Sequence, residues 1–168
     1  FGANPPQGLM LQSSNLPIVK ISTMGQVIPD DPKITATMKI IDNGAGIRNY
    51  VSDTVFAYNG YIGIEVRGSS SQMFPKKSFG VETRDSLGTD LDVSLFGMPA
   101  ESDWVLNANF TDKTLMRNVI SYDLSRSMGH YASRIQYCEL LVNGQYQGVY
   151  IFMEKIKRDP GRVDIAKL

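Results

Sequence analysis

Alternating apolar and polar residues predict β-strands along much of this chain. In Ile34–Ile40 every second residue is apolar and the residues between are Thr or Lys, which predicts a strand with one buried face. The same alternation recurs in Tyr61–Arg67 and Ser78–Arg84, and the β-branched segment Leu16–Thr23 predicts a first strand. Residues 1–15, rich in Pro, Gly, Ser and Asn, are expected to form an extended lead-in. The remainder is expected to be one sheet-rich domain.

A β-hairpin is predicted near the C-terminal end of the sequence. Asn143-Gly144 separates two largely apolar runs, Ile135–Val142 and Gln145–Met153. An Asn-Gly pair favours a tight turn between antiparallel strands, because both residues tolerate positive φ. Both faces of Gln145–Met153 are largely apolar or aromatic, so we expect this strand to lie inside a sheet rather than at its edge.

The segment Thr111–Met128 has the periodicity of an amphipathic helix. Thr111 or Asp112 is expected to cap its start, and Gly129 stands where a helix ends. We expect its apolar residues to be buried against the sheet. They form two neighbouring rows, which are Leu115, Val119 and Tyr122, and Met116, Ile120, Leu124 and Met128. The sequence therefore predicts an α+β domain with a mostly antiparallel sheet and one main amphipathic helix.

Composition and charge exclude several classes of partner. The 168 residues suffice for one hydrophobic core. Lys+Arg and Asp+Glu both number 17, so no overall field points to nucleic acid or to an anionic membrane. No apolar run approaches the roughly 20 residues of a membrane-spanning helix, so no span is expected. The sequence starts at Phe1 without a signal peptide or an initiator Met, which we interpret as a processed or partial chain.

Nucleophilic and metal-dependent chemistry have little support in the sequence. Cys138 is the one cysteine and falls in a predicted strand, and His130, the one histidine, follows the glycine that ends the predicted helix. Neither has a partner at the spacing of a catalytic pair or a metal site. Asp85, Asp90 and Asp92 do not match a calcium loop, and we interpret them as turn and cap residues. No catalytic residue and no metal ligand are assigned.

The segment Ile64–Phe79 carries the most suggestive chemistry. After a strand it turns through Gly68 and three serines, and it re-enters extended structure through Lys76-Lys77. A concave loop of hydroxyl and amide donors backed by cations is typical of a phosphate site. A polar hairpin loop with a solvated lysine pair is the alternative. Counting back in twos along the following strand predicts that Lys77 faces a cleft and Lys76 faces solvent.

The order of the elements resembles the small, N-terminal lobe of a protein kinase, in which a strand lysine holds the nucleotide phosphates. Three segments carry a more specific resemblance: RGSSSQMFPKKSFGVET, LFGMPAESDWVLNANFTDKTLMRNVISYDLSRSMG and YCELLVNGQYQGVYIFMEKIKRDPGRVDI. In this order they resemble the CotH family, the spore-coat and surface-associated atypical kinases of bacteria and some fungi. The likeness covers residues 16–168.

The resemblance implies a kinase-like fold, ATP with Mg as cofactor, and phosphorylation of Ser residues on partner proteins. It also implies a location outside the cell, at the cell surface or in the spore coat. Carried over by position, the implied cofactor-binding residues are Lys76 and Lys77 at the phosphates, Arg67, Gly68, Ser69 and Ser70 in the adjoining loop, and Glu154 at the hinge near the adenine.

The same resemblance implies that this segment lacks part of the catalytic machinery. Such families place the catalytic-base Asp and the metal-binding Asp in a second lobe, after the hinge. No residue of this sequence is a candidate for either role, so residues 16–168 are expected to be the first lobe alone. We therefore expect the parent protein to be an ATP-dependent protein kinase, and this segment to be inactive by itself.

A non-catalytic extracellular binding or adhesion module is the alternative function. Aromatic side chains can stack on sugars or on partner proteins when they are exposed. The tyrosines that support this hypothesis are Tyr50, Tyr58, Tyr61, Tyr131 and Tyr146. Binding of glycans that persists without Lys76 and Lys77 would favour it over the kinase hypothesis.

Overall fold

The computed structural model describes residues 10–166, and its strands follow one another with few helical interruptions. In chain order the elements are β1 (Ser13–Ser14), β2 (Ile18–Ser22), β3 (Ile34–Ile41), β4 (Asn49–Tyr50), β5 (Tyr58–Arg67), a short 3-10 helix (Ser70–Met73), β6 (Ser78–Arg84), β7 (Asp103–Asn107), α1 (Arg117–Ser127), β8 (Ile135–Val142) and β9 (Gln145–Glu154). The predicted lead-in falls mostly on residues 1–9, which lie outside the described part.

Seven of the strands form a closed barrel in the order β2-β3-β5-β6-β7-β9-β8, and β1 and β4 form a separate two-stranded sheet. Neighbouring barrel strands are antiparallel except at the closure, where β2 pairs in parallel with β8 and Val19 lies opposite Leu140. Because the barrel closes, every one of its seven strands has a partner on both sides.

The prediction of an α+β fold like the small lobe of a protein kinase is therefore wrong. The described residues contain one α-helix of 11 residues, and the strands close on themselves instead of forming an open sheet under a helix. Local alternation predicts the strands, but it carries no information on closure. Closure depends on the pairing of β2 with β8, which are more than a hundred residues apart in the sequence.

The predicted strands themselves are confirmed, and their inward residues form the core. Ala36, Met38 and Ile40 of β3 are buried, as the alternation predicts. The interior is filled mainly by large apolar side chains from facing strands, among them Ile62, Ile64, Trp104, Leu106, Leu140, Tyr150 and Phe152. Cys138 is also buried there, and burial raises the pKa of its thiol well above its usual range. It is a core residue.

The helix differs from its prediction in position and in burial. Residues 111–116 form turns, and Leu115 has φ 57°, so α1 begins only at Arg117. Val119 and Tyr122 pack against Val105, Ile151 and Met153 on the outside of the barrel. The second predicted row is not buried and is more than half exposed; it consists of Met116, Ile120, Leu124 and Met128. The prediction that both rows are buried is therefore wrong for the second row, and in the first row Val119 and Tyr122 are only partly buried.

Two turn predictions are confirmed. Asn143 and Gly144 have φ of 51° and 77° and join β8 to β9, and β9 lies between β7 and β8. Gly129 has φ 82° just after α1, where the amide of His130 donates to the carbonyl of Ser125 at 3.1 Å. Both turns use positive φ, which Gly and Asn adopt at least cost.

Candidate functional site

The loop between β5 and β6, residues 68–77, is folded tightly on itself. The Gln72 side chain donates to the Gly68 carbonyl, and the Lys77 amine donates to the Gln72 carbonyl. Gly68 has φ 116°, and a Cβ there would lie 2.0 Å from Ser71 Oγ, so a larger residue would strain the backbone and displace the Ser71 side chain. These contacts hold the 3-10 helix, and hence the segment that leads to Lys76, in one position.

The Lys76 side chain is half-buried and lacks an acidic partner. Its amine donates to the carbonyl of Val149 at 2.6 Å and lies 4.3 Å from the centre of the Tyr150 ring. Within the described residues, no carboxylate lies within 4.0 Å of it. Burial lowers the pKa of Lys76 from its ordinary value to about 8. The ammonium is therefore a charge that the protein neutralises only weakly.

Lys76 lines a cleft of about 300 Å³ between the 68–77 loop, the end of β7 and the start of α1. Phe74 from the loop stacks on Phe110 with ring centres 4.9 Å apart, and this contact joins the two walls. Most of the lining residues are polar and offer amide, hydroxyl and guanidinium groups; they include Ser71, Ser78, Asn107, Asn109, Asp112, Arg117 and Asn118. Such a lining favours a polar, anionic ligand.

Arg117 supplies a second cation to this cleft. Its Nε lies 3.7 Å from Oδ1 of Asp112, and its side chain is largely exposed. Asp112 also accepts hydrogen bonds from the Thr114 hydroxyl at 2.7 Å and from the Arg117 amide at 2.9 Å, so it fixes the turn that precedes α1. These contacts, led by the Thr114 hydroxyl, lower the pKa of the Asp112 carboxyl. A carboxylate so stabilised is a weak base.

The predicted orientations of the two lysines are not those observed. Strand β6 begins at Ser78, so the alternation of Phe79 and Val81 does not extend back to Lys77. Lys76 lines the cleft, but its amine donates to the Val149 carbonyl and the side chain is half-buried rather than solvated, contrary to its prediction. Lys77 instead fastens the loop through Gln72, and its carbonyl accepts a hydrogen bond from the Tyr150 hydroxyl at 2.8 Å.

The other residues of the predicted phosphate loop lie around the cleft rather than in it. Ser69 and Ser70 are exposed, and of the three serines in the 68–77 loop Ser71 lines the cleft. Arg67 lines a separate depression of about 40 Å³ on the outer face of β5 and β6. Sequence reasoning missed Asn107, Asn109 and Asn118. The polar residues that follow the buried Trp104–Leu106 run were the available signal.

Glu154 lies away from this cleft. It is fully buried at the end of β9 and is not among the residues that line the Lys76 cleft. Its carboxylate accepts hydrogen bonds from the Arg134 amide at 2.9 Å and the Arg134 guanidinium at 2.8 Å, and Nε of Arg162 lies 3.9 Å away. The structure does not bring Glu154 together with Lys76, and its contacts are those of a buried ion-pair network.

The described residues fit a phosphate better than a magnesium ion. Among residues 10–166 no group of three His, Cys, Asp or Glu side chains could hold a metal. Asp112 is the one acid that lines the cleft, and its oxygens already accept three or more hydrogen bonds. Mg²⁺ prefers carboxylate and phosphate oxygens, so these residues alone do not form a site for it.

The five tyrosines do not form one aromatic surface. Tyr58 is buried, the Tyr146 hydroxyl donates to Glu139 at 2.5 Å, and the Tyr131 hydroxyl donates to Glu154 at 3.3 Å. Tyr50 and Tyr61 are exposed, on β4 and β5. Three of the five tyrosines thus make internal contacts.

No helix in the described part of the chain is long and apolar enough to cross a membrane.

Comparison with known proteins identifies the family. The model of the family described as CotH kinase protein matches residues 64–167, which is more than half of the chain. The chain is also similar to the inner spore coat protein H of Bacillus subtilis (strain 168), with 25% identity over 158 residues. That match covers 88% of this chain and 36% of the relative, so the chain spans about a third of the relative's length. The matched residues include the 68–77 loop, the cleft and α1, and the chain belongs to the CotH family.

Proposed function

We propose that the cleft beside Lys76 binds the phosphate groups of ATP. The observation that carries this proposal is that Lys76 lines a cleft of polar donors, and that its half-buried ammonium has no carboxylate within 4.0 Å among the described residues. A phosphate oxygen would accept from this ammonium and supply the missing negative charge. The description of the family as a kinase protein supports the choice of a nucleotide.

The remaining lining residues suit a chain of phosphates. Arg117 projects from the start of α1 with most of its side chain in solvent, so it can turn towards a ligand without breaking a buried contact. Asn107, Asn109 and Ser71 add neutral donors on the other walls. A cleft of about 300 Å³ is at the lower limit for small-molecule sites. It therefore suits the phosphates, and the base would extend beyond it.

We further propose that the complete protein transfers phosphate to Ser residues of a partner protein. The described residues would bind and orient the phosphates, and Mg²⁺, when bound to the nucleotide, would screen their charge. Asp112 is poorly suited to accept the proton of a serine, because its hydrogen bonds lower the pKa of its carboxyl. In this proposal the base and the metal ligands come from other parts of the protein.

The name of the similar protein supports a proposal for the location in which this function is carried out. Inner spore coat protein H is a protein of the spore coat by its name. We propose that this protein also acts in the spore coat, on coat proteins that carry the acceptor serines. A location at the cell surface is the alternative.

Nucleotide binding by the 168-residue chain tests the proposal. Isothermal titration with ATP, tripolyphosphate and adenosine should show binding of the first two ligands and not of adenosine. Lys76→Met keeps most of the side-chain volume and removes the charge. Because charge-assisted hydrogen bonds contribute about 1.5–3 kcal/mol, it should weaken ATP binding roughly 10- to 150-fold.

Lys77→Met is the matched control, since the neighbouring ammonium points to the Gln72 carbonyl. It should weaken ATP binding less than Lys76→Met does, because it loosens the loop at Gln72 but removes no charge from the cleft. Equal losses in the two variants would mean that the loop, and not the Lys76 charge, determines binding. Tight binding of ATP by Lys76→Met would overturn the proposal.

A further inference from the structure

Two phenylalanine side chains lie apart from the apolar core of the barrel. Phe74 and Phe110 belong to none of the apolar clusters that the described residues form. The other phenylalanines of residues 10–166 all pack in or against such a cluster; they are Phe56, Phe79, Phe96 and Phe152. The positions of Phe74 and Phe110 are therefore not explained by packing of the core.

Both rings line the Lys76 cleft instead. Phe74 lies in the 68–77 loop, two residues before Lys76, and Phe110 follows the end of β7 on the facing wall. The ring centres are 4.9 Å apart and the ring planes differ by 26°, so the two rings are stacked. Each of the two residues is partly exposed. A partly exposed stack of this kind can be extended by a further planar ring.

A nucleotide would bring such a ring to the cleft. If its phosphates lie beside Lys76, its base must be held by residues outside the small space that the phosphates fill. Aromatic side chains bind bases by stacking, and every base offers a π face for this contact. Phe74 and Phe110 are the aromatic residues of the cleft lining, and the residues around them are mostly polar.

We propose that the stacked rings of Phe74 and Phe110 bind the base of the nucleotide whose phosphates lie beside Lys76. This assignment rests on the proposed phosphate site, and it adds the residues that distinguish a nucleotide from an inorganic polyphosphate. It differs from the position implied by the family resemblance, which puts the adenine near Glu154. Glu154 is fully buried and does not line this cleft.

A purely structural role for the two rings makes a different prediction. If the rings only fasten the 68–77 loop to the segment after β7, replacing one of them should disturb the cleft for every ligand that enters it. If they bind the base, the loss should be confined to ligands that have one. Tripolyphosphate, which has the phosphate chain but no base, separates the two roles.

Isothermal titration of the 168-residue chain with ATP and with tripolyphosphate tests the proposal. Phe74→Leu and Phe110→Leu should each weaken binding of ATP by about fivefold or more, and each should leave the affinity for tripolyphosphate within about twofold, because stacking contributes to ATP alone. Both variants are expected to remain folded, because leucine keeps an apolar side chain at a partly exposed position outside the core.

Phe56→Leu is the matched control. Phe56 is also partly buried, but it packs against a different apolar cluster and does not line the cleft. Its replacement should leave both affinities unchanged. In a second readout, proton NMR should show the H2 and H8 signals of ATP moving upfield on binding, because a stacked base lies in the ring currents of the phenylalanines. At saturating ATP this shift should be smaller in Phe110→Leu and unchanged in Phe56→Leu.

The possible failures distinguish this proposal from the phosphate site on which it rests. Equal losses for ATP and tripolyphosphate in the two leucine variants would overturn the base assignment and leave the phosphate site intact. Full retention of ATP affinity in both variants would also overturn the base assignment. Absence of binding of both ligands to the unsubstituted chain would overturn the phosphate site, and the base assignment with it.

Discussion

The first prediction concerns how much the buried carboxylate of Glu154 contributes to the stability of the fold. The perturbation is Glu154→Gln, which keeps the shape of the side chain and removes its charge. Glu154 is fully buried, and the Arg162 side chain beside it is 1% exposed. Among the described residues, Nε and Nη2 of Arg162 make no hydrogen bond, and the Glu154 carboxylate, 3.9 Å from Nε, is the one carboxylate within 4.0 Å of this guanidinium. Removing its charge leaves the buried Arg162 guanidinium with no carboxylate within 4.0 Å among the described residues.

Removing one partner of a buried ion pair costs about 3–5 kcal/mol. We expect Glu154→Gln to lower the free energy of unfolding by this amount. The Arg134 side chain is 42% exposed, and exposed pairs contribute only about 0–1 kcal/mol. Arg134→Ala is therefore the milder control. Arg162 also donates to the carbonyls of Asp103 and Lys155 at 2.7 and 2.6 Å, so a double-mutant cycle is needed to isolate its coupling to Glu154.

Urea denaturation of Glu154→Gln, Arg162→Met and the double variant measures this coupling, which we expect to be about 0.5–3 kcal/mol. The affinity for ATP should stay within about twofold in the folded variants, because Glu154 does not line the Lys76 cleft. If Glu154→Gln kept full stability and lost ATP affinity, Glu154 would act at the nucleotide, as the family resemblance implies, and our reasoning would be refuted.

Three further predictions concern the helix, the hairpin and pH. In urea denaturation, Ile120→Asp should change the free energy of unfolding by less than about 0.5 kcal/mol. Val119→Asp should lower it by about 1–3 kcal/mol. Equal losses in the two variants would contradict the observed orientation of α1. Asn143→Ala should cost about 1–3 kcal/mol, because its side chain accepts from the Thr23 amide and a buried donor would be left unpaired. The pKa of Lys76 in the folded state lies below its ordinary value, so the folded state binds fewer protons than the unfolded state between pH 8 and 10.5. The contribution of Lys76 to the free energy of unfolding should therefore rise with pH over this range. Lys76→Met should abolish that rise in thermal denaturation.

The sequence predicted the local elements better than their assembly. The alternation in Ile34–Ile40 and the Asn143-Gly144 turn reflect contacts between near neighbours in the chain, and both are confirmed. Closure of the barrel depends on the pairing of Ile18–Ser22 with Ile135–Val142, for which no local pattern exists. The predicted α+β fold was therefore wrong in how the strands and the helix assemble.

The predictions for the burial of the helix and for the orientation of the two lysines failed for related reasons. Apolar periodicity identified the helix that contains Ile120. It does not show how many of the apolar residues on that helix pack against the barrel, and only the side with Val119 does so. Strand parity assigned Lys77 to the cleft, although the strand begins one residue later. Lys76 is directed instead by Tyr150 and Val149, which come from a strand seventy residues away. Such contacts are tertiary and have no signature in the local sequence.

The central claim is that the Lys76 ammonium receives phosphate. The most direct measurement is an NMR titration of the lysine side chains, with Lys76 assigned by the loss of its signal in Lys76→Met. In the free chain we predict a pKa of about 8 for Lys76. Saturating tripolyphosphate should raise that pKa, because a bound anion stabilises the charged form. A pKa for Lys76 that stays the same with and without tripolyphosphate would contradict the account.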